Sequence, residues 1–155
     1  VPLLDGSRVI YDSLSLGSMV GTTVGATAPE LTGAYLVNGS GSLMQTLTES
    51  TFWPLTSSVI PPTLNGAQMM FVVAMMQHYL DIADGNNFAE FYRQLPNGYS
   101  PRKVVMHYSL GDGSVPNPAS LAFARLADLP LVQELVEPEL SLRFGNTGLE
   151  GFEDG

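Results

Sequence analysis

A serine with small neighbours is the residue whose setting best fits covalent chemistry in this chain. Ser15 lies in the small-residue run 13–17, directly after apolar and β-branched residues that predict a buried strand over 7–12. Glycines recur every fourth residue from Gly17 onward and predict a helix that leaves the turn at once. A serine at such an apex has its hydroxyl lifted off the sheet and close to a helix N-terminus, a setting that suits a nucleophile.

The same residues have two other interpretations. Strand–turn–helix connections often carry glycine and serine for conformational reasons alone, with no chemistry attached. A dinucleotide-binding loop would also use glycines, but the spacing excludes it. Gly17 and Gly21 lack the paired Gly-x-Gly of that loop, and no acidic residue ends a following strand about 20 residues on. Two interpretations of these residues remain, a catalytic nucleophile and an ordinary turn.

An aspartate that follows a later strand is a candidate partner for the serine. The run KVVMHYS predicts a strand over 103–109, and Asp112 comes after it between Gly111 and Gly113. Such a turn allows the carboxylate to face a cleft at the carboxyl end of the strand. An aspartate beside glycine is also common in turns that have no function. In the functional interpretation, Asp112 would orient a base.

Neither of the two histidines is favoured as that base. His78 falls in the polar half of a helix predicted over 67–84, where a histidine is more often a surface residue. His107 lies within the strand 103–109 and is expected to pack under the turn, too close to Asp112 along one strand to reach over Ser15. The sequence therefore lacks a base for Ser15.

The order of the elements sets the fold class. After a helix that ends before Pro29, residues 33–38 predict a second strand, which completes a βαβ unit with parallel strands in roughly 32 residues. Residues 86–95 and 120–129 predict further helices, and residues 131–136 are a candidate last strand. The sequence thus predicts an α/β fold with about three or four mainly parallel strands in a doubly wound sheet.

The helix over 67–84 opens with a long apolar stretch. Residues 67–76 are apolar apart from Gln68 and are too few to cross a bilayer. One interpretation is a buried helix whose methionines fill the core. The other is an apolar wall of an acyl pocket, in which Met69, Met70 and Phe71 would bind substrate beside the serine.

The composition limits the class of protein. The chain has 155 residues, of which 14% are charged and 45% hydrophobic, as expected for one globular domain. A net charge of −9 with six lysines and arginines argues against nucleic acid as a partner. There is no cysteine, which excludes disulfides and thiolate metal sites, and no metal or cofactor is expected.

The chain starts at Val1 and looks like part of a longer or processed polypeptide. Its localisation is open, with a secreted or periplasmic location considered.

Two motifs in the same order resemble those of the α/β-hydrolase superfamily, in particular its serine esterases and lipases. Residues 11–18, YDSLSLGS, resemble the nucleophile elbow Gly-x-Ser-x-Gly, with Ser13 at the position of the first glycine. Residues 111–117, GDGSVPN, resemble the acid turn of the same family. The serine precedes the acid, as it does in that family.

This resemblance implies specific roles. Ser15 would be the acylated nucleophile, Asp112 the acid of the triad, and the amide of Leu16 one donor of the oxyanion hole. The family's histidine follows the acid, and no histidine occurs after His107 here. The first half of the family's sheet is also missing, so the resemblance implies an open sheet edge.

The resemblance covers about residues 5–135 and divides the chain. Residues 1–42 and 101–142 would form the carboxyl-terminal part of a hydrolase core. Residues 43–100 would be a helical cap-like insertion, and residues 143–155 an acidic glycine-rich tail or truncated loop.

Two functions from different classes follow. The first is a carboxyl-ester hydrolase that acts on an apolar ester through a serine acyl-enzyme, with the histidine and part of the oxyanion hole supplied by further segments or a partner chain at the open sheet edge. A peptidase of the same fold is a variant of it. The second is a catalytically inactive, hydrolase-derived subunit kept for binding or assembly.

Overall fold

The chain was examined as a computed structural model, which describes residues 5–130. Three strands alternate with six α-helices and one 3₁₀ turn in these residues. The strands are β1 (Val9–Leu14), β2 (Leu31–Val37) and β3 (Lys103–His107). The helices are α1 (Leu16–Thr27), α2 (Leu43–Glu49), α3 (Trp53–Ser57), α4 (Gly66–Leu80), α5 (Glu90–Arg93) and α6 (Asn117–Leu126), and the 3₁₀ turn covers Gly85–Phe88. Helices α2 to α5 all lie between β2 and β3 in the chain.

The three strands form one parallel sheet in the order β1-β2-β3. In its register Leu14 lies beside Val37, and Val37 lies beside His107. All three carboxyl ends therefore meet at one end of the sheet, where open α/β folds bind their ligands. The predicted α/β class with parallel strands is confirmed.

One face of the sheet carries the core. Ala34 and Leu36 of β2 are buried there against Phe123 of α6 and Ala89 beside α5. The Tyr92 ring meets the Phe123 ring edge to face, with 5.5 Å between their centroids. This aromatic pair links α5 to α6 and holds both helices against the sheet.

Helix α1 lies unusually close to the sheet because of its glycines. A Cβ atom on Gly21 would lie 2.6 Å from Cε1 of Tyr11 and 2.7 Å from Cδ2 of Leu36, which is too close for any side chain. A Cβ atom on Gly25 would collide with the hydroxyl of Tyr92. The glycine spacing in the sequence thus has a packing reason.

The opposite face of the sheet is exposed. Ile10 and Leu14 of β1 are 67% and 65% exposed, and Tyr35 and Val105 on the neighbouring strands are also exposed. A shallow concavity of about 770 Å³ lies on this face, lined in part by Ile10, Tyr35 and Val105. Parallel sheets usually carry helices on both faces.

Several predicted boundaries differ from the structure. The helix predicted over 86–95 is divided into the 3₁₀ turn and the short α5, because the Asp84 carboxylate accepts a hydrogen bond from the Asn86 amide and fixes the tighter turn. Helix α6 begins earlier than predicted, at Asn117, since Pro118 fits a first helical turn. The candidate strand 131–136 and the tail 143–155 lie outside the described residues.

The interpretation of α4 as a buried, core-filling helix is wrong. None of its residues is buried, and Met70 and Phe71 are 75% and 67% exposed. The helix is apolar on two sides and packs on α2 with one of them. Apolar composition alone did not reveal how much of the helix the chain would cover. None of the helices between residues 5 and 130 has the length and apolarity needed to cross a bilayer.

Candidate functional site

Ser15 connects β1 to α1 in a strained backbone conformation. Its φ of 54° and ψ of −120° lie in a region that L-residues rarely adopt. The amide of Ser15 donates to the carbonyl of Val37 at 2.8 Å, and its own carbonyl accepts from Met19 at 3.0 Å, at the start of the helix. The side chain is exposed and makes no capping hydrogen bond. The backbone is therefore pinned on both sides while the hydroxyl is left available.

The serine that replaces the first glycine of the motif has polar partners. The Ser13 hydroxyl lies 3.0 Å from the Ser18 hydroxyl and donates to the carbonyl of Tyr35 at 3.2 Å. Ser18 is fully buried and donates to the carbonyl of Val37 at 2.8 Å. These bonds tie β1, α1 and β2 together around the turn, so a serine is accommodated at this position without an unsatisfied polar group.

The backbone amide of Leu16 follows Ser15 directly in the chain. Leu16 is the first residue of α1, and amides in the first turn of a helix have no acceptor within the helix. The helix dipole adds partial positive charge at the same place. This arrangement can accept a developing negative charge on a reacting carbonyl oxygen.

Asp112 lies in the loop after β3 and is held by backbone amides. Its Oδ1 atom accepts from Ser114 at 2.7 Å and from Val115 at 3.1 Å. The Oδ2 atom has no hydrogen-bond partner within residues 5–130. One oxygen thus fixes the carboxylate, and the other can accept a hydrogen bond from a base.

Two asparagines hold this loop, one directly after the middle strand and the other at the start of α6. The Asn38 Oδ1 atom accepts from the amide of Ser109 at 2.8 Å and from its hydroxyl at 3.1 Å. Asn117 donates to the carbonyl of Ser109 at 2.7 Å and accepts from the amide of Gly111 at 2.8 Å. Asn38 has a φ of 50°, a conformation that asparagine tolerates better than most residues. Neither asparagine was predicted from the sequence to hold the loop.

Ser15 and Asp112 leave the same end of the sheet on strands that flank β2. Adjacent strands are about 4.8 Å apart, so the ends of β1 and β3 are separated by roughly 10 Å. Asn38, directly after β2, lies between them, and its backbone amide donates to the backbone carbonyl of His107 at 2.6 Å.

Neither histidine is joined to these two residues. His78 is exposed on α4, and its ring contacts only Tyr79 edge to face among the ring pairs of the described residues. His107 ends β3 and is exposed, so the expectation that it packs under the turn is wrong. The reason is that its side chain alternates onto the uncovered face of the sheet. Within residues 5–130, neither side chain makes a hydrogen bond to Ser15 or Asp112.

The predicted substrate-binding residues lie on α4. Met69 and Met70 line a groove of about 470 Å³ between α2 and α4, and Phe71 is exposed. Ser15 and Asp112 are not among the residues that line this groove. The part of the chain that the structure describes holds no cluster of three or more histidine or acidic side chains suited to a metal ion.

Comparison with known proteins supports the fold. No protein-family profile matches the sequence, and no curated protein matches it. Among solved structures, the chain is similar to the uncomplexed acylaminoacyl peptidase of Pyrococcus horikoshii, with a TM-score of 0.59 and 13% sequence identity. The match covers 97% of this chain and 26% of the peptidase, so this chain spans about a quarter of that protein's length. The likeness establishes a partial α/β-hydrolase fold.

Proposed function

We propose that this chain is part of a carboxyl-ester hydrolase in which Ser15 is the nucleophile and Asp112 orients a histidine supplied by a segment outside this chain. The observation that carries the proposal is the backbone of Ser15. A non-glycine residue with φ of 54° and ψ of −120° costs on the order of 1–3 kcal/mol, and such strain concentrates at catalytic turns. The exposed hydroxyl at the carboxyl end of a parallel strand supports the same role.

The proposed reaction is acyl transfer in two steps. The Ser15 oxygen attacks the ester carbonyl while the histidine takes the hydroxyl proton. The carbonyl oxygen becomes an oxyanion that accepts from the Leu16 amide, and its collapse expels the alcohol, which receives the proton from the histidine. Water then attacks the acyl-enzyme, gives its proton to the same histidine, and releases the acid as Ser15 regains its proton.

The uncovered sheet supports a partner segment that would complete the site. The outer edge of β1 and the apolar face that bears Ile10, Tyr35 and Val105 are surfaces that a parallel sheet normally covers. The segment that packs there would bring the histidine and the second oxyanion donor. In this proposal residues 43–100 form a cap-like insertion on the core.

An apolar acyl group is the proposed substrate feature. Apolar and polar side chains both line the groove beside Met69 and Met70, its exposed surface is mainly apolar, and Phe71 adds apolar surface nearby. Amide substrates are the closest variant, since the structural neighbour is an acylaminoacyl peptidase. Assays with matched ester and anilide substrates of one acyl group would separate the two.

A fluorophosphonate probe tests the proposal. The chain, assembled with the segment that supplies the histidine, should form an adduct on Ser15 that mass spectrometry locates. Ser15→Ala should abolish the adduct, whereas Ser58→Ala, which removes another exposed serine, should leave it unchanged. An assembled protein that fails to react at Ser15 would contradict the enzyme function.

The alternative is a hydrolase-derived subunit used for binding or assembly. It is favoured because neither histidine side chain makes a hydrogen bond to Ser15 or Asp112 within the described residues. This function predicts a stable complex through the uncovered sheet with no reaction at Ser15. A histidine of the complete protein at hydrogen-bond distance from Asp112 would rule it out.

A further inference from the structure

Helix α4 has an exposed apolar face in addition to the side that packs on α2. Its members follow the i, i+3, i+4 spacing of one helix face, and all are exposed. They are Ala67, Met70, Phe71, Ala74, Met75, His78 and Tyr79, with Ile82 just past the helix end. We call this set the α4 stripe. Tyr79 and Ile82 are 74% and 84% exposed. Single exposed apolar residues are common on protein surfaces, but a contiguous row of them usually marks a contact site.

The α4 stripe lies on a helix without fixed charge. From Gly66 to Leu80 the sequence contains no aspartate, glutamate, lysine or arginine. The first acid after it, Asp81, accepts a hydrogen bond from Gln77. Covering the stripe therefore requires no salt bridge to be broken and no charged group to be desolvated.

The spacing of the stripe is complementary to itself in the antiparallel direction. When two copies of α4 lie antiparallel about the bond between Ala74 and Met75, every stripe position meets another stripe position. Ala67 faces Ile82, Met70 faces Tyr79, Phe71 faces His78, and Ala74 faces Met75 of the other copy. Alanine meets a larger side chain in the outermost and central pairs, and the other two pairs each join two large side chains. Ala74 at the centre allows an interaxial distance of about 8–10 Å.

The exposed apolar area of the stripe approaches what a stable dimer needs. A phenylalanine or tyrosine buries about 150–250 Å² when covered, and the stripe adds Met70, Met75 and Ile82. The total is several hundred Å² on each copy, of the order of the ~800 Å² per partner in a standard interface. We propose that a second copy of this chain docks on the α4 stripe as an antiparallel, two-fold symmetric helix pair. This inference does not depend on Ser15 being a nucleophile, but it assigns Met70 and Phe71 to the dimer contact and not to the acyl group of the proposed function.

A lipid surface fits the stripe less well. Helices that lie on membranes usually carry lysine and arginine on the polar face, which attract anionic headgroups. Helix α4 has neither residue, so nothing on the helix itself attracts an anionic surface. The stripe is therefore better suited to a partner of its own kind.

Analytical ultracentrifugation of the full chain tests the proposal. The wild-type chain should sediment as a dimer at micromolar concentration, and added salt should not dissociate it because the contact is apolar. Phe71→Glu should give a monomer. Val105→Glu, a matched charge on the exposed sheet face, should leave the dimer intact. A wild-type monomer, or a dimer lost with Val105→Glu and kept with Phe71→Glu, would overturn the proposal.

Single cysteines test the antiparallel arrangement, because the chain has no cysteine of its own. Ala74→Cys should form a covalent dimer on mild oxidation, as the two copies of this position meet near the two-fold axis. Ala67→Cys should not, since its two copies would lie about 22 Å apart along the helices, from a rise of 1.5 Å per residue. Crosslinking of both variants, or of Ala67→Cys alone, would contradict the antiparallel pair. Binding of a monomeric wild-type chain to phosphatidylcholine vesicles would assign the stripe to lipid instead.

Discussion

The strain at Ser15 is the residue-scale feature on which the candidate site depends. A φ of 54° with ψ of −120° is readily accessible to glycine and costly for serine or alanine. Three non-glycine residues of the described chain have positive φ, and the other two are Asn38 and Asp128, residue types that tolerate it. Among residues 5–130, Ser15 is therefore the one positive-φ residue whose side chain is disfavoured by its backbone conformation.

The strain predicts the stabilities of two variants at this position. Ser15→Gly and Ser15→Ala both remove the hydroxyl, but only glycine relieves the backbone. We expect Ser15→Gly to exceed Ser15→Ala in free energy of unfolding by about 1 kcal/mol, because relief of strain outweighs the entropy that glycine adds to the unfolded chain. Urea denaturation of both variants measures this difference. A less stable glycine variant would show that the turn is unstrained.

Local motifs reveal some of these residues and not others. Ser15 and Asp112 could be singled out from the sequence because each lies in a short run of small residues after a strand. Asn38 could not, since its role arises from Ser109, whose amide and hydroxyl lie 71 positions further along the chain. Asn117 lies only 8 positions from Ser109, but no motif marks it as a residue that holds the loop. An asparagine directly before Gly39 was the available signal, and it indicates a turn without indicating its partner.

At the scale of elements, α1 shows how a sequence pattern becomes a packing constraint. The glycines that predicted a close helix are not equivalent in the structure. At Gly17 an added Cβ would meet only the Cβ of Ser13 at 3.5 Å, whereas at Gly21 it would meet Tyr11 and the fully buried Leu36. Only the second position determines how close the helix lies to the sheet.

This difference predicts opposite effects of the same substitution. Glycine to alanine inside a helix normally stabilises it by about 1 kcal/mol. We expect Gly17→Ala to be neutral or stabilising, and Gly21→Ala to lower the free energy of unfolding by about 1–3 kcal/mol because the core is overpacked. Thermal and urea unfolding of the pair measures both. Equal stability of the two variants would contradict the close contact of α1 with β1 and β2.

Helix α4 marks the limit of prediction at this scale. Its apolar residues correctly predicted a helix near 67–84, since their content and the capping box at Asn65 both favour one. They did not predict its exposure, because a helix that is apolar on two sides shows no moment that identifies the covered side. Which of the two apolar sides is buried depends on contacts with residues distant in sequence, and the local pattern of α4 does not predict those contacts.

At the scale of the whole molecule, the core contains a buried tyrosine that links stability to pH. Burial raises the pKa of Tyr92 above the ordinary value of 10.0, and the nearby charge of Arg102 opposes this only in part. The hydroxyl donates to the carbonyl of Thr22 at 2.7 Å. The folded state therefore favours the neutral phenol more strongly than the unfolded state does.

The sign of the pH effect follows from this pKa. The stabilising contribution is complete below about pH 10, where the unfolded tyrosine is also neutral, and is lost as the pH rises further. We expect the free energy of unfolding to fall above pH 10 in the wild type and to fall less steeply in Tyr92→Phe. Tyr35→Phe, at an exposed position, should keep the wild-type slope. An unchanged slope in Tyr92→Phe would show that other groups cause the loss.

The sequence predicted the parallel order of the strands but not which face of the sheet is covered. Parallel order and the common carboxyl end follow from the βαβ spacing, and these place the Ser15 and Asp112 loops at one end of the molecule. The resemblance implied an open sheet edge, but the uncovered face could not be inferred from hydrophobicity, because it carries large apolar side chains such as Ile10, Leu14 and Val105.

The most direct test of the account is chemical rescue of the missing base. Our central claim is that the Ser15 hydroxyl and the Asp112 carboxylate flank a space that one imidazole can occupy. The rate of fluorophosphonate adduct formation at Ser15 should therefore rise with added imidazole in the chain alone, and Asp112→Asn should remove most of that increase. An adduct rate at Ser15 that does not respond to imidazole, or that responds equally in Asp112→Asn, would contradict the account.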